Sequence, residues 1–312
     1  MSRAPRVDVE FPSQLDGTTL RGWWYPPTGV PSASGAAVPG VVMAHGFSAV
    51  KEMGLEPMAD ALAAAGFAVL AYDHRNLGAS DGEPRQEIDI WAQARDYRSA
   101  FDWLAARPEV DAARIALWGS SYSGGEVIVV GAADRRVAAV VAQVPFAGVA
   151  TDYSEEQLAE WTVLRDAVLS GERGAPADAF GPIAVVCEDE GGSAFLAQSE
   201  SWRWFSAEGG RPGSTWRNQV TIRSDGGPAV FDPGLAVAHL APTPLLMIVA
   251  TEDRLAPTDV AFASFARAGE PRELVLVEGD HFVPYGGEAF DVCRDATIAF
   301  LGIAFERSRL DD

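Results

Sequence analysis

The chain has 312 residues, 48% hydrophobic and 22% charged, with a formal net charge of −20. Such a composition supports a large buried core, and the acidic balance argues against nucleic acid or an anionic membrane surface as a partner, because phosphate would be repelled. Two cysteines far apart, Cys187 and Cys293, make no disulfide framework, and the four histidines never stand at helical i, i+4 spacing, so no metal or other cofactor is expected.

The first residues carry neither a long apolar run nor a small-residue cleavage site, and no stretch is apolar for long enough to cross a bilayer, so a cytoplasmic protein is expected. Residues 7–11 alternate apolar and polar as a half-exposed strand does. A turn at Leu15-Asp16-Gly17-Thr18 leads to a second strand over 19–25, and Pro, Gly, Ser and Ala at 28–39 read as a surface loop. Val41-Val42-Met43-Ala44 is a continuous apolar run, suited to a strand buried on both faces, and it ends in His45-Gly46-Phe47-Ser48. A helix is predicted over 55–65, stopped by Gly66, then a buried strand over 67–72 and a polar loop from Asp73 to Gly82. Apolar residues at helical spacing, among them Ile88, Trp91, Tyr97, Phe101 and Leu104, predict a helix over 88–106.

A strand at 115–118 then runs into Gly119-Ser120-Ser121-Tyr122-Ser123-Gly124-Gly125, followed by an apolar helix to Ala133. A sharp strand-to-helix turn needs small residues on both sides, holds its tip residue in a strained conformation and aims a helix N-terminus at the same place. Ser121 at that tip is a candidate nucleophile. The match to G-x-S-x-G is incomplete, since Ser123 stands where the second glycine belongs. A further buried strand at 137–144 completes an alternation that means βαβ units and a parallel sheet.

Between Phe146 and Ala241 the alternation breaks. Helices are predicted at 153–169 and 194–205, with glycine- and proline-rich breaks at 171–176, 209–213 and 226–228. The segment is read as a mainly helical insertion over residues 146–241, packed on a core formed by 1–145 and 242–312. Most of its aromatics are expected to make its own small core, with Trp161 and Trp202 lining an apolar pocket beneath. The alternation returns with a strand at 244–249, a helix at 258–268, a strand at 274–277 and a closing helix at 289–305.

Ser121, Asp253 and His281 each fall just past the carboxyl end of a predicted parallel strand, the edge where open α/β sheets build sites, and in the order used by elbow-type hydrolases. With His45-Gly46-Phe47 and the 73–82 loop, these motifs make the chain resemble the α/β-hydrolase superfamily over nearly its whole length. The form Trp-Gly-Ser-Ser-Tyr-Ser-Gly-Gly is similar to capped hydrolases of dienelactone-hydrolase-like and X-Pro-peptidase-like kinds. The resemblance implies an α/β fold with a mostly parallel eight-stranded sheet flanked by helices. It also implies a serine nucleophile (Ser121), a general base (His281), an orienting acid (Asp253), and an oxyanion hole from the backbone of Phe47 and Tyr122. Glu252, Asp280 and Asp152 are rivals for the acid, and His45 reads as a brace for the oxyanion loop. His74 and Arg75 are expected to shape the loop beside the site.

The leading expectation is a serine hydrolase acting on an ester, lactone or amide of a medium-sized apolar or uncharged molecule. The alternative is the same triad used for acyl transfer, cyclisation, elimination or C–C cleavage in polyketide-like metabolism, and a non-catalytic binding module ranks below both. The expected partner is a small-molecule substrate, with a homodimer left open.

Overall fold

Uninterrupted aliphatic runs form the centre of the molecule, where a strand between two layers of helices has no face for a polar side chain. The computed structural model describes residues 5–27, 37–170, 179–223 and 230–308. The loop residues 28–36, the breaks at 171–176 and 226–228, and the tail beyond 308 lie outside the described residues.

The chain opens with β1 (Val7–Pro12), β2 (Thr19–Tyr25), β3 (Val38–Ala44), α1 (Leu55–Ala64), β4 (Ala68–Tyr72) and β5 (Glu87–Ile88). It continues through α2 (Ile90–Ala105), β6 (Val110–Ser120), α3 (Tyr122–Ala133) and β7 (Ala139–Gln143). The inserted segment holds α4 (Glu155–Ala159), α5 (Trp161–Ser170), β8 (Ala179–Val186), β9 (Ala194–Leu196), α6 (Ser199–Gly209), β10 (Val220–Arg223) and α7 (Pro233–Ala236). The core resumes with β11 (Leu245–Ala250), α8 (Thr258–Arg267), β12 (Arg272–Val277) and α9 (Gly287–Ser308).

Eight strands form one sheet in the order β1-β2-β4-β3-β6-β7-β11-β12. β1 and β2 pair antiparallel, β2 joins β4 antiparallel, and from β4 to β12 every pairing is parallel. All six residues of β11 are buried, as the apolar run requires. One face packs under α2, α3, α5 and α7, around Leu70, Leu117, Val140 and Met247. The other packs under α1 and α9, around Val41, Met43, Trp118 and Ile248. Side chains of this kind each contribute about 1.5–3 kcal/mol on full burial. None of the described helices is long and apolar enough to cross a membrane.

The segment read as mainly helical holds four helices and also three strands among its described residues. It carries a second sheet, in the order β5-β10-β8-β9, in which β10 runs parallel to β5 and antiparallel to β8. The stretch 194–205, read as one helix, is β9 followed by α6. The helix read at 153–169 is two, α4 with a capping box at Ser154 and Gln157, then α5. These strands form because a partner edge, β5, comes from the loop after β4. A small third cluster sits beneath this sheet, joining Met53, Leu77 and Ile88 of the core to Val185, Val186, Phe205 and Val220 of the insertion.

Candidate active site

β6 ends at Ser120 and α3 begins at Tyr122, so the whole reversal is made at Ser121, whose φ of 58° and ψ of −117° lie in a region L-residues rarely occupy. Backbone bonds lock this strained residue: its N–H donates to Gln143 O at 2.8 Å and its carbonyl accepts from Phe146 N–H at 2.8 Å. A β-carbon at Gly119 would lie 2.2 Å from Ser123 O, and one at Gly125 2.4 Å from Phe146 O, so neither position admits a side chain.

Ser123 is tolerated because its side chain enters a polar pocket behind the turn. Its hydroxyl contacts the His45 carbonyl oxygen, lies 2.8 Å from His74 Nε2 and 2.9 Å from Glu126 Oε2, all buried. The close packing served by a second glycine falls instead to Gly124, whose β-carbon would meet Pro145 at 2.8 Å.

His281 stands in the loop after β12 and is buried. Its Nε2 lies 2.9 Å from Ser121 Oγ and its Nδ1 2.6 Å from Asp253 Oδ2. Asp253 follows β11; its Oδ1 accepts from Leu255 N–H at 2.9 Å and Ala256 N–H at 2.8 Å, which fixes the carboxylate plane. Thr251 N–H to Val277 O (3.0 Å) and Glu252 N–H to Gly279 O (2.9 Å) hold the two loops together. Of the rival carboxylates, Glu252 and Asp152 are exposed, and Asp280 is turned to Phe282 N–H at 2.9 Å. Three side chains distant in sequence thus form one hydrogen-bonded row.

The loop after β3 presses on this row. A β-carbon at Gly46 would lie 2.9 Å from Ser121 Cβ, so glycine alone allows the approach. Phe47 and Tyr122, from the two segments beside Ser121, meet edge to face at 5.5 Å and both line the adjacent cavity. His45 braces the loop: its Nδ1 lies 3.0 Å from Gly46 O and its Nε2 accepts from His74 N–H at 3.3 Å. Burial, and then the neighbouring His74, push its pKa down to about 3, so its ring stays neutral. Asp73 ties this loop to the 73–82 loop, accepting from Lys51 N–H (2.7 Å), Lys51 Nζ (2.5 Å) and Ala79 N–H (2.9 Å). Arg75 points away from the site and forks onto buried Asp96 at 2.6 and 2.8 Å.

A cavity of about 320 Å³ opens beside Ser121 and His281. The core contributes Phe47, Met53, Tyr122 and Tyr285 among others, and the insertion contributes Phe195, Leu196, Trp204, Phe205 and Ile222. Among the described residues no Asp, Glu, Lys or Arg lines it. Trp161 and Trp202, expected in its wall, are not there. Trp161 is buried in the core on the α2/α3 face, stacked on His239 at 5.1 Å, because α5 packs against α2, α3 and α7. Trp202 lies on α6 among the third cluster's neighbours, while Trp204 and Phe205 of the same helix reach the cavity. Trp204 stacks on Phe282 at 5.1 Å, and Phe195 on Phe47 at 4.6 Å. Among the described residues no group of three or more His, Cys, Asp or Glu is placed to hold a metal ion.

Comparison with known proteins agrees with this architecture. The family model described as X-Pro dipeptidyl-peptidase (S15 family) matches residues 16–283. The polyketide transferase grgF of Penicillium sp is 31% identical over 278 residues, covering 89% of this chain and 90% of its own. A thiohydrolase of Eupenicillium brefeldianum is 28% identical over 301 residues, covering 96% and 94%. The crystal structure of the α/β hydrolase GrgF from Penicillium superposes with a TM-score of 0.72 at 28% identity, covering 95% of this chain and 98% of that one.

Proposed function

Because the chain belongs to the X-Pro dipeptidyl-peptidase (S15) family and is an enzyme of the α/β-hydrolase fold, we propose that it is a serine hydrolase with Ser121 as nucleophile. Its substrate would be an ester, lactone or amide of a medium-sized, uncharged, mostly apolar molecule. The observation that carries this reading is the row Ser121 Oγ–His281 Nε2 at 2.9 Å and His281 Nδ1–Asp253 Oδ2 at 2.6 Å.

In this mechanism neutral His281 takes the Ser121 proton at Nε2 as Oγ attacks the carbonyl carbon. Asp253 holds the Nδ1–H tautomer and stabilises the imidazolium. The backbone N–H groups of Phe47 and Tyr122 receive the oxyanion, a type of donor worth about 2.7–4 kcal/mol in the transition state. His281 then protonates the leaving group, and water enters by the reverse sequence. Residues 146–241 act as the cap, supplying the aromatic wall that holds the acyl group and keeps bulk water from it.

A fluorophosphonate probe should label Ser121 in the wild type and leave Ser121→Ala unlabelled, with turnover of a p-nitrophenyl ester panel lost in the variant. Normal turnover by Ser121→Ala would overturn the reading. A second reading uses the same three residues for acyl transfer in polyketide-like metabolism, and the relative named as a polyketide transferase favours it. Oxygen-labelled water separates the two, because hydrolysis must place one solvent oxygen in the acid product and transfer must not.

A further inference from the structure

We propose that the ion pair between Glu200 and Arg254 is a latch that positions the aromatic wall of the cavity and so sets how well long acyl groups are held. The inference rests on the hydrolase reading for its site.

Glu200 lies in the first turn of α6, and Arg254 immediately follows Asp253. Arg254 Nε meets Glu200 Oε1 at 3.0 Å and Nη2 meets Oε2 at 2.6 Å, a two-pronged pairing whose planar geometry fixes direction as well as distance. The two ends differ in surroundings: the Glu200 side chain is 5% exposed and that of Arg254 56%. Arg254 also reaches exposed Glu190 of the insertion, Nη1 to Oε1 at 3.2 Å.

The pair joins two stretches that line one cavity. One helical turn beyond Glu200, on the same face of α6, is Trp204, followed by Phe205, and both line the cavity. On the other side, Leu255 and Ala256 line it directly after Arg254, and their amides hold Asp253. Trp204 then leans on Phe282 and, at 4.9 Å, on Tyr285, the loop that carries His281. A shift of α6 moves Trp204 and Phe205 in the cavity wall, while the Ser121–His281–Asp253 row is held by its own hydrogen bonds. Glu200 and Arg254 touch neither reacting atoms nor the cavity, and act as positioning residues.

The test compares p-nitrophenyl acetate with p-nitrophenyl octanoate. Glu200→Gln should raise the octanoate KM about tenfold with kcat little changed, and leave acetate kcat/KM within about twofold. Arg254→Lys, which keeps the charge and loses the fork, should fall between. Arg254→Met leaves a buried carboxylate without its cation and is the variant at risk of misfolding; the Glu200→Gln/Arg254→Met double variant avoids this and should be no worse than Glu200→Gln alone. Calorimetric binding of octanamide in the Ser121→Ala background should weaken by the same factor when Glu200→Gln is added. An unchanged octanoate KM, a parallel loss on acetate, or unchanged octanamide binding overturns the latch. If the wild type cleaves neither ester, the hydrolase reading falls, and octanamide binding alone decides the latch.

Discussion

The Tyr285 hydroxyl lies 2.6 Å from Ser120 Oγ, so the loop that carries His281 is hydrogen-bonded to the residue just before the proposed nucleophile. Burial pushes the phenol pKa upward, which keeps it protonated and able to serve as donor. Tyr285→Phe keeps the ring beside Trp204 and removes this one bond. A neutral hydrogen bond contributes about 1 kcal/mol, so we expect kcat to fall roughly fivefold with KM unchanged. Ser120→Ala should match it, and the double variant should be no worse. Steady-state kinetics on one good ester reads all three, and additive losses would mean that the bond does not act as a unit.

Gly46→Ala should be more damaging than its size suggests. The added methyl would sit 2.9 Å from Ser121 Cβ and 3.1 Å from Ser120 O, so the loop bearing Phe47 must back away from the proposed nucleophile. Losing one oxyanion donor costs on the order of 10²–10³ in kcat. We expect a loss of that size with fluorophosphonate labelling slowed, and with melting temperature lowered only slightly.

The neutral ring of His45 predicts a pH dependence of stability. Its pKa is about 3 in the folded protein and about 6.5 when unfolded, so between those values the unfolded chain binds a proton that the folded chain does not. The contribution is fully present above pH 6.5 and is lost as pH falls toward 3, with a slope of about 1.4 kcal/mol per pH unit in the middle of the window. Urea unfolding of the wild type and His45→Gln at pH 7, 6 and 5 should show the wild type losing its advantage by that slope. Parallel curves would contradict it.

Trp161 and Trp204 should separate stability from selectivity. Trp161→Ala removes a buried ring from the main core, at a cost of about 3–5 kcal/mol, and should leave relative rates on acetate and octanoate unchanged. Trp204→Ala opens the cavity wall and should change that ratio with a smaller loss of stability. Denaturant unfolding beside the two-ester assay distinguishes them.

What the sequence disclosed and what it hid have physical causes. Runs such as Val41 to Ala44 and Leu245 to Ala250 read as strands because burial on both faces admits only apolar residues. The turn at Ser121 was legible because its steric demand is local. The residues gathered around Ser123 were not, since His45, His74 and Glu126 come from three separate elements and carry no shared spacing. β10 escaped notice because it is short, and β8 because its first half is exposed and is interrupted by Gly181-Pro182. Trp161 and Trp204 both lie in amphipathic helices of one inserted segment. Only the direction in which each helix packs decides which of them meets the cavity, and no local pattern encodes that.

The parallel pairing of β10 with β5, reinforced by Arg223 forking onto Glu87 at 3.0 and 3.1 Å, stitches the insertion into the core at a point far from its two covalent junctions. Exchanging this segment with a relative's would therefore require transplanting residues 87 and 88 as well. A graft cut only at its ends would bring a backbone edge with no matching register to meet it, and new selectivity would come at the expense of an orphaned strand.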